Sequence, residues 1–123
     1  MKHRVSELEG TLLDAAVAKA EGVNLIDRAV FRDGMREVYS SAGVFRDNYD
    51  PSTSWALGGP IIEREHITVA AVPAGPDAPL EWMGVMNYSV AGAERSRAFG
   101  STPLIAAMRS YVASKFGEEV ELP

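Results

Sequence analysis

The sequence has no cysteine and only two histidines. The first absence removes disulfide frameworks, thiolate zinc sites and thiol nucleophiles together. The second leaves too few imidazoles for the usual metal ligand sets, so neither a metal nor a cofactor is expected. No window approaches the ~18 consecutive apolar residues of a membrane span. Met1-Lys2-His3-Arg4 leads into polar and acidic residues rather than an apolar signal segment. The expectation is a cytoplasmic protein with no membrane contact. An excess of positive charge is also missing: 12 Lys and Arg stand against 17 Asp and Glu, a net charge of −5. A long nucleic acid needs a basic face, so that class of partner is not expected. The acidity is too mild for a phosphate-mimicking decoy.

What is present is ordinary globular composition, with 46% apolar and 24% charged residues over 123 positions. One domain covering 1–123 is expected, burying roughly 65% of the surface its unfolded chain exposes. Ser6-Glu7-Leu8-Glu9 has capping-box spacing and predicts a helix start, with Leu12, Leu13, Ala16, Val17 and Ala20 on one stripe and Gly22 as the stop. Residues 2–5 read as a short edge strand. Between Val23 and Asn48, Asp33-Gly34 signals a hairpin, although Leu25, Ala29 and Val30 also fit a helical turn.

Residues 48–60 are dense in turn formers and read as a loop, with Pro60 opening a single helical turn. Ile67–Val72 and Leu80–Tyr88 read as antiparallel strands around the stiff 73–79 connector, which holds three prolines. Residues 89–100 read as a connection carrying Arg95 and Arg97. Thr102-Pro103 opens the clearest helix, with Leu104, Met108, Tyr111, Val112 and Phe116 on one side and Gly117 at its end. The tail 118–123 alternates acidic and apolar residues, as an edge strand or an acidic end. The fold class is therefore α+β: a small antiparallel sheet packed against two main helices.

Three segments together resemble the NinX-like family of phage and prophage proteins. They are 5–22, the Tyr49-x-Pro-Ser-Thr-x-Trp-Ala-x-Gly-Gly-Pro-Ile-Ile-Glu-Arg-Glu run ending at Glu65, and Thr-Pro-Leu-Ile-Ala-Ala-Met-Arg-x-Tyr-Val-Ala-Ser-Lys-Phe-Gly over 102–117. The match reaches both ends and the middle, and the last two motifs are the specific ones. The resemblance implies a small phage accessory protein in the host cytoplasm and carries no chemistry with it.

The residues themselves make 49–65 the candidate site. Gly58 and Gly59 allow close backbone approach, free amides at Ile61 and Ile62 suit an anion, and Ser52 and Ser54 supply hydroxyls. Tyr49 or Trp55 would stack on a planar ring, and Glu63 would accept from a ribose or amide. The plainer alternative makes Trp55 a core plug, the glycines a tight turn and Glu63 an arginine partner. Gly-Gly-Pro lacks the lysine and spacing of a phosphate-binding P-loop.

Thr102 with Ser101 forms a second anion candidate, weighed against simple N-capping. Arg109, among Ala106, Ala107 and Ala113, would reach a phosphate or carboxylate, or make a surface ion pair. Glu63 and His66 are the pair a hydrolase would use, and no catalytic residue is assigned. The inventory favours a non-enzymatic protein binding a small nucleotide-like ligand, such as a host immune signal that it sequesters. The alternatives are a module docking on a host protein through Trp55 and Tyr49, and that hydrolase. Either leading function is compatible with self-association, and a homodimer or higher homo-oligomer is expected.

Overall fold

The computed structural model describes residues 1–22, 24–25, 38–40, 43–45, 49–73, 75–86 and 96–122. In chain order, β1 (Lys2–Arg4) runs through a 3-10 turn (Val5–Glu7) into α1 (Gly10–Glu21), followed by the short strands β2 (Asn24–Leu25), β3 (Val38–Ser40) and β4 (Gly43–Phe45). Then come α2 (Trp55–Glu65), β5 (Ile67–Pro73), β6 (Leu80–Met86), β7 (Ala98–Gly100), α3 (Pro103–Phe116) and β8 (Glu119–Glu121). The architecture is mixed α+β, as the residue pattern predicts. Three helices are present among the described residues, however, where two main ones are expected.

The predicted capping box does not form. Val5 and Leu8 are both buried, and holding both side chains in the core tightens 5–7 into the 3-10 turn. The Val5 amide meanwhile donates to the Glu118 carbonyl at 2.9 Å. The helix starts only after Glu9, whose side chain makes no cap bond. Leu13, Ala16 and Val17 are buried as predicted, but Leu12 is 42% exposed and Ala18 is buried instead. Asp14 also turns inward, where its Oδ1 accepts the Ser52 amide at 2.9 Å. That bond offsets the cost of placing a carboxylate on the packed side of a helix. Gly22 ends α1 in the left-handed conformation, as expected.

The central sheet is antiparallel in the order β5-β6-β7. Its β5–β6 ladder runs from Ile67↔Met86 to Pro73↔Leu80. The third strand, β7, lies in the stretch expected to be a plain connection, and pairs Trp82↔Gly100 and Gly84↔Ala98. The predicted strand reaching Tyr88 is described only to Met86. Position 88, Arg95 and the Asp33-Gly34 turn lie outside the described residues.

The helix α3 lies across this sheet, brought close by residues without side chains. A Cβ on Gly84 would sit 2.5 Å from the Ala106 carbonyl oxygen, and one on Gly100 would sit 2.9 Å from the Ala106 nitrogen. Thr102 caps α3 by accepting the Ile105 amide at 3.1 Å. Leu104, Met108, Tyr111 and Val112 are buried, as their spacing predicts. Met108, Tyr111 and Val112 form the core cluster with Leu13, Val17, Ile61, Ile67, Val120 and Leu122.

The two ends of the chain form a separate antiparallel ladder, β1 with β8, pairing Lys2↔Glu121 and Arg4↔Glu119. The register sets opposite charges across from each other, the arrangement that stabilises cross-strand pairs. The tail is thus an edge strand, the first of its two expected forms.

Candidate functional site

The predicted loop with a single turn at Pro60 is largely helix. Asp50 turns the chain by accepting the Thr53 and Ser54 amides at 3.0 and 2.8 Å. From Trp55 the chain is helical through Glu65, with Gly58, Gly59 and Pro60 all inside α2. Ile61 and Ile62 therefore lie in the helix interior, where amides join the helical ladder rather than standing open to an anion. Gly58 does permit a close approach, but to protein: a Cβ there would lie 2.5 Å from the Pro51 carbonyl oxygen and 2.7 Å from Leu104 Cδ2. The phosphate cradle expected from Gly58, Gly59, Ile61 and Ile62 is thus replaced by a helix packed on α3.

The other residues of that segment separate. Ser52 is buried. Ser54 precedes α2 without a side-chain cap bond, and its carbonyl accepts the Leu57 and Gly58 amides. Trp55 is 56% exposed in the first turn of α2, so it is not a core plug. Glu63 is exposed, and the arginine pairing expected of it is made by its neighbours: Arg64 holds Glu65 at 2.8 Å and Glu21 at 2.7 Å.

That arginine belongs to a polar cluster tying the C-terminal ends of α1 and α2 to α3. Arg64 donates to both Glu21 oxygens, at 3.1 and 2.7 Å. The Tyr111 hydroxyl donates to Glu21 Oε2 at 2.7 Å. Burial, followed by the hydrogen bond to Glu21, pushes the Tyr111 phenol above its ordinary value. Burial and then the negative charges of Glu21 and Asp14 do the same to half-buried Tyr49. Both phenols titrate near 10 in an unfolded chain, so the folded state holds their protons more tightly. Their contribution to stability is complete below pH ~10 and falls as pH rises beyond it. Urea midpoints are therefore expected to decline above pH ~10, with a smaller decline in Tyr111→Phe; an unchanged slope would remove Tyr111 as the cause.

A well-defined concavity lies elsewhere. A groove of about 970 Å³ is lined by Arg4–Ser6 and Gly117–Glu119 on one side, by Leu80, Glu81 and Arg97–Ser101 on the other, and by Arg109 and Ala113 of α3. Arg109 spans it. Its Nε donates to the Leu8 carbonyl and its Nη1 to the Phe99 carbonyl, both at 2.7 Å. Burial lowers the Arg109 pKa, with Glu9 opposing the shift. In place of the expected surface ion pair the guanidinium holds two backbone carbonyls, and it braces the groove.

The side chains of Arg4, Arg97, Ser6 and Ser101 are exposed, leaving two cations and two hydroxyls on the walls. Glu81, Glu118 and Glu119 line the same groove and oppose that positive charge. Of these residues, sequence reasoning singled out Arg97 and Ser101 as charge and hydroxyl near a helix start. Arg4 had only the basic first residues as a signal and Ser6 only its capping-box spacing, and the other walls of the groove, from Leu80 onward, lie far from both along the chain. Thr102 itself serves as the cap of α3. No group of three or more His, Cys, Asp or Glu suited to a metal ion occurs among the described residues.

Fold and groove together define a small α+β protein with an open, mixed-charge cleft beside its sheet. Residues 4–115 match the family described as Bacteriophage P22, NinX, and the chain belongs to that family of phage proteins. No curated protein matches it. No helix among the described residues is long and apolar enough to cross a membrane.

Proposed function

We propose that this phage protein binds a small nucleotide-like anion without catalysis, in the groove spanned by Arg109. The observation that carries this is the pairing of a groove of about 970 Å³ with the Arg4 and Arg97 guanidinium groups on its walls. Small-molecule sites fall in the range of about 300–1,000 Å³. Guanidinium groups suit phosphate oxygens, and the hydroxyls of Ser6 and Ser101 add donors and acceptors. The carboxylates of Glu81, Glu118 and Glu119 bound the ligand's charge: they repel a long polyphosphate and accept from the amino and hydroxyl groups of a base and ribose. In a phage protein, the natural ligand of this kind is a host signalling nucleotide held out of circulation.

A nucleotide panel including cyclic dinucleotides and ADP-ribose derivatives, read by thermal shift, tests the proposal. A ligand at a hundredfold excess over its dissociation constant stabilises by ~2.7 kcal/mol, about 10 °C for a domain of this size. Arg97→Glu is expected to abolish the shift and Trp55→Ala to leave it intact. A panel with no shift, together with native mass spectra showing nothing bound, would defeat it.

The exposure of Trp55 favours a second reading, a docking surface for a host protein. There the same variants reverse roles, with Trp55→Ala losing a host-protein complex and Arg97→Glu keeping it. The hydrolase alternative gains no support from the geometry. Glu63 and His66 are both exposed, and what joins them is a backbone bond, the His66 amide donating to the Glu63 carbonyl at 3.4 Å.

A further inference from the structure

The central sheet has two outer edges of different character. At the β7 edge the strand is three residues long, and the Phe99 carbonyl is already taken by Arg109. A short strand with an arginine on its carbonyl is blunted against further pairing. At the β5 edge the strand is seven residues long and reads Ile-Thr-Val-Ala-Ala-Val-Pro, without a charge. Among the described residues β5 pairs with β6 alone. The adjacent helix α2 packs on α3 through Gly58 against Leu104 and Arg64 against Tyr111. Soluble chains protect long edges with charge, bulges or internal proline, and here the proline stands only at the strand's last position.

We infer that the β5 edge pairs antiparallel with the β5 edge of a second copy of this chain, joining two three-stranded sheets into one of six strands. The sequence is self-complementary for that pairing. A twofold axis through Ala70 sets it opposite its own copy, Val69 opposite Ala71, Thr68 opposite Val72 and Ile67 opposite Pro73. No charge meets a like charge in this register, and the residue at the axis is small. The ladder of β1 and β8 offers no such fit. Antiparallel self-pairing of β1 about His3 would set the cations Lys2 and Arg4 opposite each other, and self-pairing of β8 about Val120 would do so with Glu119 and Glu121. Six continuous strands would also pair the edge that β5 leaves unpaired among the described residues. The inference stands on β5 alone and is independent of the ligand proposed for the groove.

The lack of native cysteine makes the test direct. Directly opposed residues of an antiparallel pair have Cα atoms about 4.5–5.5 Å apart, within disulfide range. Ala70→Cys is expected to cross-link to its own copy under mild oxidation, while Ser114→Cys, on the exposed side of α3, stays monomeric. Light scattering of the native chain at micromolar concentration is expected to give twice the chain mass. Folded Ala70→Lys is expected to give the single mass, and an equal mixture with Ala70→Glu to return to the double one. A native single-chain mass overturns the inference. So does failure of Ala70→Cys to cross-link faster than Ser114→Cys, or a double mass that Ala70→Lys leaves untouched.

Discussion

Gly84→Ala is expected to cost about 3 kcal/mol of stability, the upper end of what overpacking a core usually does. The new methyl carbon would lie 2.5 Å from the Ala106 carbonyl oxygen, 2.8 Å from its carbon and 3.0 Å from Ala107 Cα. All three atoms are backbone, so no rotamer change can relieve the contact. Relief requires α3 to lift off β6, and that motion would loosen Met108 and Val112, both fully buried. With a urea slope of about 1–3 kcal/mol/M, the unfolding midpoint should fall by roughly 2 M. Gly59→Ala supplies the opposite sign in the same chain. A Cβ there meets nothing within 4 Å, and the residue is interior to α2, so the change should gain up to about 1 kcal/mol from helix propensity. Equal midpoints for the two variants would mean that α3 does not sit on β6 as closely as described.

Arg109→Met is expected to lose about 2–3 kcal/mol and, with it, ligand retention in the groove. Two hydrogen bonds from a charged donor vanish, each worth ~1.5–3 kcal/mol, and methionine retains most of the apolar packing of the stem. The loss is less than the sum of the two because the Phe99 carbonyl is exposed and can turn to water, whereas the Leu8 carbonyl is part-buried. Arg109→Lys should not restore stability, since a single ammonium cannot present the planar fork that reaches two carbonyls at once. A lysine variant as stable as the native chain would show that charge alone, rather than the span between Leu8 and Phe99, holds the groove. If Arg109→Met loses stability but binds ligand as before, the brace acts on the fold and not on the site.

The clearest local signals correspond to elements whose stability is also local. Thr102, Pro103 and Gly117 delimit α3 because capping and proline chemistry act over a few bonds. The two strands flanking the 73–79 connector follow from apolar runs and proline punctuation. Local chemistry misleads at 55–65. Two glycines and a proline in one helix cost several kcal/mol of propensity, and read alone they mean a loop. The helix forms because Ile61 enters the core and Gly58 lets α2 approach Pro51 and Leu104. Ser6-x-x-Glu9 is the converse, a helix signal overridden when Val5 and Leu8 are drawn inside.

The candidate site divides in the same way. Arg97, Ser101 and Arg109 carry chemistry visible in their residue types. Their association with Arg4, Ser6 and Glu118 depends on β1 pairing with β8 at opposite ends of the chain. By itself the sequence determined the α+β class, the phage family, the exclusion of thiol chemistry and the positions of α3, β5 and β6. The family follows from the resemblance of the motifs over 5–22, 49–65 and 102–117, and the rest from composition and from interactions spanning a few residues. Only the tertiary structure decided that 55–65 is helical, that Arg109 braces the Leu8 and Phe99 carbonyls, and where a groove opens. Each of these depends on surfaces brought together across long stretches of chain, where burial outweighs local preference.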